Sequence, residues 1–359
     1  FEESVNQAGV GAYHTPDELT LHTTTETIEP VLYDQMAERS EQSYNSLSDV
    51  LEDEENLLSF YEDVLSGVNV VDPAVGTGGF LIAAQQTLLE IHRRTLDKID
   101  QSDIDCSAAE QGGLLQTALD KTEQKQESYL KREILKRNLY GVDVDSEALQ
   151  LCRLRLWLSI LPDNTNQIEV SNLFPDFEQS IQRGNSLVGY GFDQFPDNEL
   201  DPENRGSTDW WQDKSTADEL FRDEHIEQEE NDNWQGSLFH WPLNFPSIYD
   251  QGGFDVVIGN PPWDHLSVSE EEFYADYIEG FTSMSQSEQA EALANWNEAT
   301  TGETNIEERF EQRKSSISSL KNYLQSQYSD QSSTVIGRTR TTYDDLTSLF
   351  IERTFSLGS

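Results

Sequence analysis

Val70-Val-Asp-Pro-Ala-Val-Gly-Thr-Gly-Gly-Phe80 is the stretch that decides how this chain folds. Two β-branched residues end in an acid, three glycines follow within four positions, and Leu81, Ala84, Leu88 and Ile91 then recur at helical spacing. The order is strand, acidic strand end, tight turn, helix. Glycines let a ligand lie close against the backbone at a helix N-terminus, where amide N–H groups have no intrahelical partner. The spacing is not G-x-G-x-x-G and no Lys follows the glycines, which argues against a nicotinamide site and against a triphosphate-binding loop.

Working outward, Leu139-Tyr-Gly-Val-Asp-Val-Asp145 is a second short apolar strand ending in acid. Asp143 stands where an acid at the end of a second strand accepts hydrogen bonds from ribose hydroxyls. Asp145 reads as the N-cap of a helix carrying Leu151, Leu154, Leu158 and Leu161. Phe254-Asp-Val-Val-Ile-Gly-Asn-Pro-Pro-Trp263 supplies a third strand, Phe254 to Ile258, with Asn260 at its carboxyl end. The prolines stiffen the backbone there, so an amide oxygen, a peptide carbonyl and an aromatic face converge on one planar, amine-bearing substrate. Strands alternating with helices predict an α/β fold, an open, doubly wound sheet with its ligand across the carboxyl ends of the strands.

In this order the motifs resemble the gamma class of amino-methyltransferases that modify adenine in DNA. Asp72, Pro73, Ala74, Gly76, Gly78, Gly79 and Phe80 match motif I of that family, Asp143 lies in motif II, and Asn260, Pro261, Pro262 and Trp263 are motif IV. Gly11-Ala-Tyr-His-Thr-Pro16 is similar to motif X, whose threonine, here Thr15, meets the methionine end of S-adenosylmethionine. Gly184-Asn-Ser-Leu187 is similar to motif III, with Asn185 where many relatives have Asp. Phe239-His-Trp-Pro-Leu-Asn-Phe-Pro246 and Asp345-Leu-Thr-Ser-Leu-Phe350 resemble the approach to motif IV and motif V of the fused restriction-modification (type IIG) and BREX phage-defence enzymes, with Thr347 where an aromatic is common.

The resemblance implies a Rossmann-like methyltransferase sheet, S-adenosylmethionine as cofactor, and double-stranded DNA with a flipped adenine as substrate. Asn260 and the Pro261 carbonyl would accept the amine hydrogens, and Trp263 would stack on the base. It also implies a sheet incomplete at the C-terminus, a target-recognition domain beyond this segment, and a nuclease domain or defence-system subunits as partners. Two other readings share the Asn-Pro-Pro-aromatic device or the fold: methylation of RNA bases or of a protein glutamine, and a non-catalytic DNA-binding scaffold.

Composition argues separately. Sixty-eight acidic against 23 basic side chains give a formal net charge of -45 over 359 residues, where a nucleic-acid enzyme is expected to carry a basic stripe. With 35% hydrophobic residues patterned into strands and helical stripes, the chain can bury a core, so wholesale disorder is excluded. Acids spread along the whole sequence fit a protein adapted to molar salt, where the Debye length falls to about 3 Å. The remaining cations gather at Lys131, Arg132, Lys136, Arg137, Arg153 and Arg155, with a smaller group at Arg338 and Arg340. Ion pairs with neighbouring acids are the simpler reading of that cluster.

Cys106 and Cys152 do not suggest a disulfide framework. His14 and His265 lack partners at metal-ligand spacing, so no metal is expected. No transmembrane run or signal peptide is evident, and a cytoplasmic setting is expected. Residues 1–65 read as an N-terminal helical segment carrying motif X. Residues 66–265 read as the cofactor-binding core with an acidic surface insertion near 192–237. Residues 266–359 read as a helical region leading to motif V, with Phe310, Ile317, Leu320 and Leu324 on one stripe.

Overall fold

The computed structural model describes residues 15–102, 104, 113–161, 177, 179–195, 210–225, 238–263, 267, 269–299, 305–328, 332–335, 338–341 and 346–358. Four strands, β1 (Val70–Asp72), β2 (Leu139–Asp143), β3 (Ile181–Arg183) and β4 (Val256–Val257), form a parallel sheet in the order β3-β2-β1-β4. The chain steps outward from β1 to β3 and returns to the other side of β1. The crevice between β1 and β4 is therefore the topological switch point, where open α/β sheets bind ligands beyond the carboxyl ends of their strands. Motif I follows β1, and the Asn-Pro-Pro-Trp loop follows β4.

β1 is valine-rich and buried on both faces, as a central parallel strand must be. On one face Val70, Leu139, Ile181 and Val256 pack with Leu81, Leu88, Leu149 and Leu156 of the helices Gly79–Gln101 and Ser146–Ile160. The N-terminal helix Asp17–Ser40 joins this core through Ile28, Leu32 and Met36, and Leu47, Val50, Leu51, Leu57 and Phe60 are buried in it. On the other face Val71 and Val142 meet a cluster of aromatic rings, Phe239, Trp241, Phe245 and Phe254. Phe239 and Trp241 pack edge to face at 5.1 Å. Fully burying a side chain of Phe size contributes about 1.5–3 kcal/mol, so this aromatic layer is a main support of the second face.

The third predicted strand is shorter than its apolar run. Only Val256–Val257 pair in the ladder, while Phe254 forms a separate parallel bridge with Gly358 and its N–H donates to the Leu357 carbonyl at 2.8 Å. The helix Leu346–Leu357 thus ends beside the start of β4.

Three further expectations change. Asp145 does cap the helix Ser146–Ile160, accepting the Glu147 N–H at 2.8 Å, but the buried face carries Leu149, Cys152, Leu156 and Ile160 while Leu151, Leu154 and Leu158 are exposed. The acidic insertion includes a helix, Trp210–His225, whose Ala217 and Phe221 enter a second core with Leu187, Tyr190, Tyr323 and Leu324. The stripe on helix Ile306–Gln327 is split: Phe310 packs with Tyr274, Phe281 and Ile306, whereas Leu324 packs in the second core. That helix therefore spans between two clusters. Gly11–His14, Cys106, His265 and Asp345 lie outside the described residues, as do the side chains of Arg338 and Arg340.

Candidate active site

Each candidate group comes from a strand end or the turn after it. Asp72 closes β1 and is 1% exposed, and its Oδ1 accepts the Ala74 N–H at 3.0 Å. Burial pushes its carboxyl up to about 8, against the pull of that amide. The turn then rises through Gly76 (φ +49°) and Gly78 (φ +85°), left-handed conformations that glycine adopts without steric cost. A Cβ on Gly78 would lie 2.7 Å from the Cys152 Sγ, so the turn sits directly on the neighbouring helix. At Gly76 and Gly79 a Cβ would meet nothing within 4 Å. The turn is thus packed from below and open above, at the N-terminus of a 23-residue helix that no side chain caps.

Asp143, at the end of β2, is half-buried, and burial raises its carboxyl above the usual range. Its Oδ2 accepts the Gly76 N–H at 2.7 Å and its Oδ1 the Asp145 N–H at 2.9 Å. It therefore ties the glycine turn to β2, and each oxygen keeps a lone pair for another donor. The Gly184 N–H donates to the Asp143 carbonyl at 2.9 Å, bringing the Gly-Asn-Ser-Leu turn alongside. Asn185 spends its side-chain oxygen on the Leu187 N–H at 3.1 Å, and the buried Ser186 hydroxyl donates to the Pro73 carbonyl. Pro73 and Phe80, on either side of the turn, are buried.

Gly259 explains how the fourth segment joins this group. A Cβ there would stand 2.6 Å from the Asp72 Oδ1, so the backbone after β4 passes directly against the buried acid. Asn260 follows, and its Oδ1 accepts the Trp263 indole N–H at 2.8 Å. Trp263 is 65% exposed, with its ring edge held back onto the asparagine of its own loop. The Pro262 carbonyl accepts the Thr347 hydroxyl at 3.1 Å.

The structure thus brings together Asp72, Ala74, Gly76, Asp143, Asn185 and Asn260 at one end of the sheet. Thr15 is not joined to them by any hydrogen bond among the described residues: its carbonyl accepts the Thr20 hydroxyl at 3.4 Å, at the start of helix Asp17–Ser40. A cavity of about 460 Å³ lies elsewhere, beside Gly252, Tyr249 and Tyr328, and no motif residue lines it.

The basic cluster divides. Lys131 pairs with Glu127, and Lys136 and Arg137 pair with Glu133. Arg153 and Arg155 instead serve backbone carbonyls: Arg153 donates to Ile181, and Arg155 donates to the Thr77 carbonyl at 3.1 Å and its hydroxyl at 2.9 Å. Arg155 thereby clamps the glycine turn, a role that the cation count in the sequence did not signal. Thr347, Ser186 and Gly259 were also missed. Of these only Gly259 had a local signal, a glycine directly before the Asn-Pro-Pro loop.

A parallel sheet of this order, with glycine-turn and Asn-Pro-Pro-Trp segments meeting at its switch point, is compatible with the methyltransferase fold. Residues 137–300 match the family described as Eco57I restriction-modification methylase, a range that holds Asp143, Asn185 and Asn260 to Trp263. A protein of Methanocaldococcus jannaschii, provisionally named a type II restriction enzyme and methyltransferase, is 31% identical over 199 residues, covering 51% of this chain and 15% of that protein. This chain is similar to restriction-modification methyltransferases, and the matched stretch is a small part of that relative's length. Among the described residues no helix is long and apolar enough to cross a membrane.

Proposed function

We propose that this chain is the catalytic segment of a DNA methyltransferase that moves a methyl group from S-adenosylmethionine to the exocyclic amine of adenine, within a restriction-modification or phage-defence system. The observation that carries the reading is the contact of Gly259 with Asp72, which brings the backbone that leads into Asn260 against the buried acid that precedes the glycine turn, at the switch point. The similarity to restriction-modification methylases supports DNA as the substrate.

The residues fit the cofactor. Open space over Gly76 and Gly79, uncapped amides at the helix N-terminus and the remaining lone pairs of Asp143 suit a nucleoside with ribose hydroxyls. Asp72 would hold the cationic end, since a positive charge nearby favours the ionised form of a buried carboxyl. Thr15 and Asn185 complete the proposed cofactor set. The cofactor supplies, when bound, an activated methyl on a positively charged sulfur.

This chain then has to place and sharpen the nucleophile. An adenine amine is weakly nucleophilic because its lone pair is delocalised into the ring. Two acceptors, the Asn260 Oδ1 and the Pro261 carbonyl, would draw its hydrogens out of the ring plane and direct the lone pair at the methyl. The Asn260 oxygen is already satisfied by the Trp263 indole at 2.8 Å, so the entering amine replaces one donor with another. Trp263, released, is free to stack on the flipped base.

Asn260→Ala in the intact protein is expected to abolish methyl transfer while leaving cofactor affinity nearly unchanged, because its contact is made with the target amine. Calorimetry measures the affinity, and mass spectrometry of nucleosides after incubation with DNA measures the product. Methyladenine formed at the wild-type rate, or methyl groups on RNA or protein in place of DNA, would overturn the proposal.

A further inference from the structure

The loop that carries Asn260 is fastened from a helix far away in sequence. Thr347 lies in the first turn of helix Leu346–Leu357, and its hydroxyl donates to the Pro262 carbonyl at 3.1 Å. The other end of this helix is held twice. The Arg353 guanidinium is 3% exposed, donates to the Leu187 and Gly189 carbonyls at 3.3 and 3.1 Å, and sits over the Tyr328 ring at 5.3 Å. The Leu357 carbonyl accepts the Phe254 N–H at 2.8 Å, and Gly358 bridges to Phe254. The side chains of Leu349, between the anchors, and of Leu357 are fully buried.

The helix is therefore fixed to the Gly-Asn-Ser-Leu turn and to the start of β4, and it reaches forward to the loop that leaves the end of β4. We infer that Thr347 is a positioning residue for the target-amine site, the tip of a strut that sets the Pro262 carbonyl and, through the stiff Pro261-Pro262 pair, the carbonyl of Pro261 and the amide of Asn260. The proline rings leave few backbone torsions between the anchored carbonyl and the two proposed acceptors. A threonine suits this because its hydroxyl reaches a carbonyl that a bulkier side chain would displace. The inference rests on reading Asn260 to Trp263 as the target-amine site.

The experiment compares the intact protein with Thr347→Val, which keeps the shape and removes the donor, and Thr347→Ser, which restores the donor. Thr347→Val is expected to lower kcat for methyl transfer about tenfold to a hundredfold, the scale of a reacting group misplaced by a fraction of an ångström to about 1 Å. Cofactor affinity and Tm are expected to stay at wild-type values. Thr347→Ser is expected to return kcat to within about threefold of wild type, the residue of a less restrained hydroxyl. Hydrogen exchange at the Asn260 and Trp263 amides is expected to quicken in Thr347→Val alone. Unchanged kcat and exchange in Thr347→Val, or a loss that Thr347→Ser fails to restore, overturns the assignment. If the wild type methylates no adenine, the functional reading falls, and the exchange measurement by itself still decides whether Thr347 holds the loop.

Discussion

Asp72 is where the glycine turn and the Asn-Pro-Pro loop touch, the cofactor and substrate sides of the proposed site. Its carboxyl is buried, pressed by the Gly259 backbone, and pushed up to about 8 from an ordinary 3.8. Between those values the folded chain holds a proton that the unfolded chain has released. Its contribution to stability is therefore complete below about pH 4 and declines as pH rises through 8. Asp72→Asn cannot ionise and still offers an oxygen to the Ala74 N–H. Thermal melts of the two proteins without cofactor are expected to diverge, the variant gaining on the order of 1 kcal/mol per pH unit from pH 5 to 8 and levelling off above. Parallel melting curves would show that Asp72 is already ionised in the free protein. Asp72, Gly76, Asp143 and Asn260 were legible because each sits at a strand end or in the turn after it, where local spacing fixes position. Ser186 and Thr347 were not, since their partners Pro73 and Pro262 lie 113 and 85 positions away.

At the level of elements, the glycine turn and the helix Ser146–Ile160 behave as one unit. Gly78 needs both a left-handed backbone (φ +85°) and the absence of a Cβ, which would stand 2.7 Å from the Cys152 Sγ. The two requirements separate in a double-mutant cycle. Gly78→Ala is expected to cost about 1–2 kcal/mol for the left-handed conformation and about 1–3 kcal/mol for overpacking. In a Cys152→Ala background only the first cost remains, so urea denaturation should return a favourable coupling. Purely additive losses would mean that the sulfur is not the obstacle. This helix also marks the limit of pattern reading. Leu149, Leu151, Leu154, Leu156 and Leu158 place apolar side chains around most of its circumference, so periodicity established the helix but could not choose the buried face. Packing on the glycine turn and β2 chose it. The parallel α/β sheet was legible from the motif sequence, while its order β3-β2-β1-β4 and its second face, built from Phe239, Trp241 and Phe245 against Val71 and Val142, rest on long-range packing that no local pattern carries.

Over the whole molecule, a net charge of -45 has to coexist with a compact fold and with the anionic substrate proposed above. Six cations that could have contributed to a basic stripe are engaged: Lys131, Lys136 and Arg137 are paired with glutamates, and Arg153, Arg155 and Arg353 are committed to backbone carbonyls. Surface carboxylates thus repel one another with little compensation, and the repulsion is governed by ionic strength. At about 0.1 M salt the Debye length is about 10 Å and neighbouring carboxylates act on each other across the surface, whereas at about 1 M it is about 3 Å and they do not. The inner network is insulated from this change, because Asp72 and the Arg353 anchors lie inside the protein, where screening is weak. Tm is accordingly expected to rise steeply with salt between 0.1 and 1 M and then flatten as screening saturates, roughly as the Debye length shortens. Neutralising eight to ten exposed acids to Asn or Gln should flatten that dependence without altering cofactor affinity at high salt. A melt that is independent of salt, or one whose salt dependence survives the neutralisation, would place the origin of the effect in the core instead of the surface charge.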